Sequence, residues 1–282
     1  MKRFLACLLI LSCHEAGPAP TKPAASAPYE QQILKWRETR HASLMKEDGW
    51  LSLVGLEWLN PGDNDVKLPT HPPTMAHFRV TGGTVALVES GKATELRDDT
   101  DPQGPTVVRN GSFRYNVIKR NDKFAIRMKD AEADSRTHFK GLEYFPVNPH
   151  WRLEARFEPF NPPKKVPITN VLGMTSDETA PGELVFDVDG KTYRIMPILE
   201  QGEKDLFIIF KDTTSGKETY GAARYLYASP PGADGKTIVD FNKAYNPPCT
   251  FTPFATCPLP PPQNRLPLRI DAGEKKYAGG HA

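Results

Sequence analysis

The sequence predicts a mostly β protein: sandwich or barrel-like antiparallel sheets with one N-terminal helix, and two β subdomains as an option. Three observations carry this expectation. Two-residue turns containing glycine, Gly82-Gly83 and Asp189-Gly190, separate strand-like runs in the manner of tight hairpins. About a dozen short strand-like runs follow one another at close spacing. Past Gly49, no long stretch spaces its apolar residues at helical intervals, so the crossover helices of a doubly wound α/β sheet are missing.

The one helix is expected over Tyr29–Lys46, where Ile33, Leu34, Trp36 and Leu44 make an amphipathic pattern and Gly49 is placed to end it. Trp50–Leu59 is apolar and stops at Asn60-Pro61-Gly62-Asp63, a turn-forming group. His77–Thr81 and Thr84–Val88 flank Gly82-Gly83, and Phe113–Lys119 and Phe124–Lys129 flank the polar turn Arg120-Asn121-Asp122-Lys123. Arg152–Phe157 follows, then Leu184–Val188 and Thr192–Ile198 around Asp189-Gly190, then Leu206–Phe210, Arg224–Tyr227 and Thr237–Phe241. The best internal boundary is Pro159-Phe160-Asn161-Pro162-Pro163, which would divide a first β region, 29–158, from a second, 159–282. One continuous domain is the alternative. Pro61–Pro69 resembles the early strands of forkhead-associated sandwiches, but the arginine, serine and histidine of those phosphothreonine binders are not supplied around it. That likeness implies topology and no phosphopeptide binding.

Of the 282 residues 39% are hydrophobic, and the formal net charge is +2 with no long block of like charge. Nucleic-acid binding therefore has little electrostatic support. Residues 1–13 read as an export signal: Lys2-Arg3, the apolar run Phe4–Leu11, and Ser12-Cys13 at a lipobox-like end. Cys13 is then the lipidation site. Residues 14–28, rich in Pro and Ala, have almost nothing to bury and read as a tether. The expected location is the cell envelope, on the periplasmic face of a membrane held through the lipid. No later segment has the run of about eighteen apolar residues that a membrane span needs.

The densest stretch is Asp240-Phe241-Asn242-Lys243-Ala244-Tyr245-Asn246-Pro247-Pro248-Cys249, continued through Phe254-Ala255-Thr256-Cys257-Pro258 to Asn264-Arg265-Leu266-Pro267. With the upstream run Phe210–Arg224 it resembles the C-terminal signature of an uncharacterised bacterial family, domain of unknown function 1684. The resemblance covers most of the mature chain, is strongest over Leu206–Lys275, and implies no particular reaction.

Prolines stiffen this loop, so its polar groups can be held in place. Arg224, Asp240, Asn242, Tyr245, Asn246, Asn264 and Arg265 are the candidate binding residues, offering a carboxylate, amides, a phenol and guanidinium groups. The same Asp and Asn residues also suit turn caps, and Arg265 could equally pair with Asp240 or Glu218. Cys249 and Cys257 are closely spaced; in an oxidising compartment a disulfide is the first reading, with inert thiols and a metal or nucleophile role as the others. No metal site is expected, because no histidine pair has ligand spacing. The function read from these features is an exported, lipid-anchored β protein binding a small polar or carbohydrate-like ligand near the 240–265 loop. A hydrolase using a carboxylate of that loop is the alternative, and a flavin-type cofactor in a β-barrel a weaker one.

Overall fold

The computed structural model describes residues 27–200 and 202–279. The export signal, Cys13, His14, His281 and nearly all of the tether lie outside the described residues. Helix α1 spans Ala27–Leu44, and a single 3-10 turn at Trp50–Ser52 leads into β1, Leu53–Trp58. The first region continues with β2 Gly62–Leu68, β3 Thr74–Thr81, β4 Thr84–Glu89, β5 Lys92–Leu96, β6 Val108–Asn110, β7 Phe113–Arg120 and β8 Lys123–Asp130. After the short helix α2, Asp134–Thr137, come β9 Arg152–Thr169, β10 Thr175–Val188, β11 Lys191–Ile195, β12 Leu206–Phe210, β13 Arg224–Ala228 and β14 Lys236–Asp240. The sheet orders are β1-β8-β7-β6, β2-β3-β4-β5, β11-β10-β9-β14 and the pair β12-β13, and the strands within them pair antiparallel.

The hairpins form where turn chemistry allows. Gly82 and Gly83 take φ values of 61° and 81° between the paired Thr81 and Thr84. Asp189 and Gly190 do the same between Val188 and Lys191, at 50° and 75°. The third turn is tighter than the polar run implied, because Arg120 and Lys123 are already paired. Asn121 tolerates the left-handed φ of 56° that this requires.

Alternation then builds the first core. Phe113, Tyr115 and Val117 on β7 and Phe124, Ile126 and Met128 on β8 pack against Val66, Leu68, Phe78, Val85 and Leu87 of the facing sheet. This is a sandwich of the expected kind. The opposite face of β7 and β8 is covered as well, since Ile118 and Ala125 are fully buried. The second core gathers Trp151, Leu184, Phe186, Ile208, Phe210, Leu226 and Phe241, closed by Leu266, Ile270 and Ala272 from the proline-rich C-terminal segment. A third cluster joins Leu53 to Ile168, Ile198, Phe207, Tyr225, Cys249, Ala255 and Cys257.

The expected boundary at Pro159–Pro163 does not separate two regions, because β9 runs through it. The prolines are accommodated by an irregularity in the ladder. Ala180 pairs with Lys164 while Gly182 pairs with Pro159, so Phe160–Pro163 bulge out opposite one residue of β10. Gly182 permits this close approach, since a Cβ there would lie 2.4 Å from Glu158 O and 2.7 Å from the Phe157 ring. The first core draws on residues up to Met128 and the second on residues from Trp151, so the chain passes between them across α2.

Candidate functional site

The seven expected site residues are not brought to one pocket. Asp240 caps the 3-10 turn Phe241–Lys243, its Oδ1 accepting from Asn242 N–H at 3.1 Å and from the Tyr29 hydroxyl at 2.9 Å. Asn242 accepts from Asn148 N–H and donates to Asn148 O, both at 2.9 Å. Asn264 does the same to Met196, both at 2.8 Å, and also donates to Ile209 O. Each buried amide thus stands in for a missing strand, meeting the N–H and C=O of one residue as a neighbouring peptide would. Asn246 takes Glu274 Oε2 on its backbone N–H at 2.7 Å and gives its Nδ2 to Lys275 O at 2.8 Å.

Arg224 is fully buried. Its Nη1 lies 3.3 Å from Asp212 Oδ2 and donates to Ile270 O, and its Nη2 donates to Ala272 O. Arg265 is exposed and pairs with neither expected acid: Asp240 is held by Tyr29 and Asn242, and Glu218 by Arg269. Of the seven, only Tyr245 lines the cleft that α1 helps to close. Arg265 faces away from it, and the remaining five are spent inside the fold, because a loop buried against a sheet must satisfy its own backbone and polar side chains do it.

Cys249 and Cys257 are brought together but not bonded. Both are buried free thiols, and Cys249 N–H donates to Cys257 Sγ at 3.1 Å. The short spacing delivers proximity, and the 3-10 turn Pro248–Thr250 aims a backbone donor at the sulfur. Hydrogen bonding with Cys257 lowers the Cys249 thiol, while hydrogen bonding with Cys249, aided by burial, raises Cys257. If one of the pair ionises, it is Cys249.

The cleft, of about 750 Å³, lies where the second region and α1 close over the outer face of β7 and β8. One wall is aromatic. Tyr227 and Tyr245 stack with 12° between ring planes and 6.4 Å between centroids, and Phe207 stacks on Tyr227 at 4.9 Å. Tyr225 stands edge-on to Phe207 and Tyr245. Arg40 from α1 lies over the Tyr245 ring at 4.7 Å, fixed by Glu274 and Asn246 O, each at 2.9 Å. Burial raises the Tyr225, Tyr227 and Tyr245 phenols above their ordinary range, so these walls are neutral at working pH. Glu200 accepts the Tyr227 hydroxyl at 2.6 Å, and Glu178 accepts that of Ser176 at 2.8 Å.

The other end is basic. Arg120 and Arg127 project from the outer face of the β7–β8 hairpin, on which Ile118 and Ala125 are also carried. Asp99 contacts Arg120 Nη1 at 2.9 Å and Arg127 Nη1 at 4.0 Å, so two guanidinium groups share one carboxylate. Arg127 sits 5.4 Å from the Trp50 ring centre, and burial, with Arg120 beside it, pulls it down to about 10. It remains a cation at neutral pH.

Sequence reasoning passed over these two arginines. They occupy alternate positions of half-polar strands, a pattern that ordinarily marks the solvent side of a sheet. The one available signal was Ile118 and Ala125 on that same face. Among the described residues, no group of three or more His, Cys, Asp and Glu side chains is arranged to hold a metal ion, and no helix is long and apolar enough to cross a membrane.

Residues 137–275 match a family model described as "Protein of unknown function (DUF1684)". No curated protein matches the chain. Among solved structures, it is similar to the solution NMR structure of the uncharacterized protein from gene locus rrnAC0354 of Haloarcula marismortui. The identity is 30%, covering 51% of this chain and 80% of that one, with a TM-score of 0.43.

Proposed function

The chain belongs to the DUF1684 family through residues 137–275, and from the chemistry of the cleft we propose that it binds a small polar, carbohydrate-like ligand between the two β regions. The observation that carries this reading is the aromatic wall of Tyr227, Tyr245 and Phe207 facing a cleft of about 750 Å³. Its size falls in the range of small-molecule sites, and flat rings with polar groups at their edge suit a ring-shaped, hydroxylated ligand. The site differs from the expected one near the 240–265 loop, which contributes Tyr245 and the Ala255–Pro258 rim. Isothermal titration with neutral and acidic oligosaccharides tests it. Binding by at least one of them, lost in Tyr227→Ala, is the expected result. No binding across the panel would remove the proposal.

We also infer that the chain is exported and lipidated on Cys13, as Lys2-Arg3, Phe4–Leu11 and Ser12-Cys13 indicate. A tether ending where α1 begins at Ala27 would then hold the cleft away from the membrane at the periplasmic face. Intact mass of the membrane fraction should show an acylated N-terminal cysteine. A protein retaining Met1 in the soluble fraction would overturn this.

A further inference from the structure

The basic end of the cleft deepens that reading, on which the following inference rests. We propose that the ligand is an acidic sugar, whose carboxylate is received by Arg127 with Arg120 while its ring lies against Tyr227 and Tyr245. The argument starts from what each cation near the cleft already holds. Arg40 is matched by Glu274 at 2.9 Å, Arg114 by Glu47 at 3.0 Å, and Arg120 by Asp99 at 2.9 Å, while Lys129 donates to Asp48 O. Arg127 alone of these makes no hydrogen bond to a described residue. Its Nε is buried without a partner, and its nearest carboxylate is 4.0 Å away.

That carboxylate is already committed. Asp99 Oδ2 accepts from Arg120, and Oδ1 accepts Lys119 N–H at 2.8 Å. Arg127 is 12% exposed, so its charge is mostly removed from water with only a share of the Asp99 carboxylate, 4.0 Å away, to match it. A cation in that state is costly to a fold unless something compensates it. Trp50, 5.4 Å from its guanidinium carbon, helps hold the group in place. A guanidinium fork held in this way is suited to a carboxylate.

The rest of the cleft decides what carries the carboxylate. Glu178 and Glu200 also line it, and they would repel a second negative charge but accept hydroxyl donors. Their hydrogen bonds, to Ser176 and to Tyr227, leave further lone pairs on each carboxylate. One acidic group, several hydroxyls and a ring face together describe a uronic-acid-type ligand.

The test compares the methyl glycoside of galacturonate, which carries one carboxylate, with its methyl ester, a neutral molecule of nearly the same shape, by isothermal titration. Wild-type protein should bind the acid at least tenfold tighter than the ester, and added salt should weaken only the acid. Arg127→Gln should bring acid and ester to equal affinity, and Arg127→Lys should retain part of the preference. The melting temperature of each variant shows whether it is folded. Equal binding of acid and ester by wild type would overturn the acidic-sugar assignment and leave the cleft reading standing. An acid preference untouched in folded Arg127→Gln would overturn it too. Binding of neither form would overturn the acidic-sugar assignment, while the oligosaccharide panel decides the cleft reading.

Discussion

Two arginines, both withdrawn from water, do opposite work. Arg224 is closed in by Asp212, Ile270 O and Ala272 O, and its removal strands a buried carboxylate. Arg224→Met should therefore cost about 3–5 kcal/mol in denaturant unfolding. Arg127 has no such close partner, so Arg127→Met should leave unfolding stability unchanged or raise it. The buried amides behave like Arg224. Asn264→Ala leaves Met196 N–H and O without their partners and should cost about 2–6 kcal/mol, at about 1–3 kcal/mol for each buried group left unmade. Arg265→Ala, at an exposed position with no ion pair, should stay within about 0.5 kcal/mol. The same urea titrations read all four.

Helix α1 shows how an element acquires its place from contacts its own sequence does not advertise. Its buried apolar residues are only Ile33 and Leu44, too few to hold 18 residues against the sheets. Polar bonds do the rest: the Tyr29 hydroxyl to Asp240, Arg37 to Phe145 O, and Arg40 to Glu274 and Asn246 O. Since Arg40, Trp36, Thr39 and Ser43 also line the cleft, undocking the helix would open the site. Glu274→Gln should loosen it, seen as faster amide exchange confined to α1 and weaker ligand binding, with the β-sheet amides unchanged. The thiols of Cys249, in the 3-10 turn Pro248–Thr250, and of Cys257 beside it, 6% and 4% exposed, should react with a labelling reagent only after denaturation. Rapid native labelling of Cys249 would show that this turn opens on its own.

At the scale of the molecule, the cleft is a product of two regions. Its aromatic wall lies within the matched residues 137–275, whereas Arg120, Arg127, Trp50 and α1 precede them. A ligand gripping both sides binds only the assembled state, so it must stabilise that state by mass action. The methyl glycoside of galacturonate at a hundred times its Kd should add about 2.7 kcal/mol to unfolding stability. The esterified form at the same concentration should add clearly less. Equal shifts in thermal unfolding would contradict the division of labour between the basic end and the aromatic wall.

The strands, the three hairpins and the single long helix were legible in the sequence because each depends on neighbours along the chain. Gly82-Gly83 and Asp189-Gly190 accept positive φ wherever they stand, and the alternation from Phe113 to Met128 turns apolar side chains to one face whatever covers it. The family resemblance over the C-terminal half was legible for the same reason, being written in contiguous residues. What covers the second face of β7 and β8 is a long-range matter. Arg120 and Arg127 read as solvent-facing until the second region is seen to pack on Ile118 and Ala125. The density of Asp, Asn and Arg from 240 to 265 misled in the opposite sense, since polar side chains serve a buried loop's backbone as readily as a ligand. Tertiary structure alone decided which polar groups were spent inside the fold and which were left facing a cleft, because burial belongs to the whole packing and never to a segment.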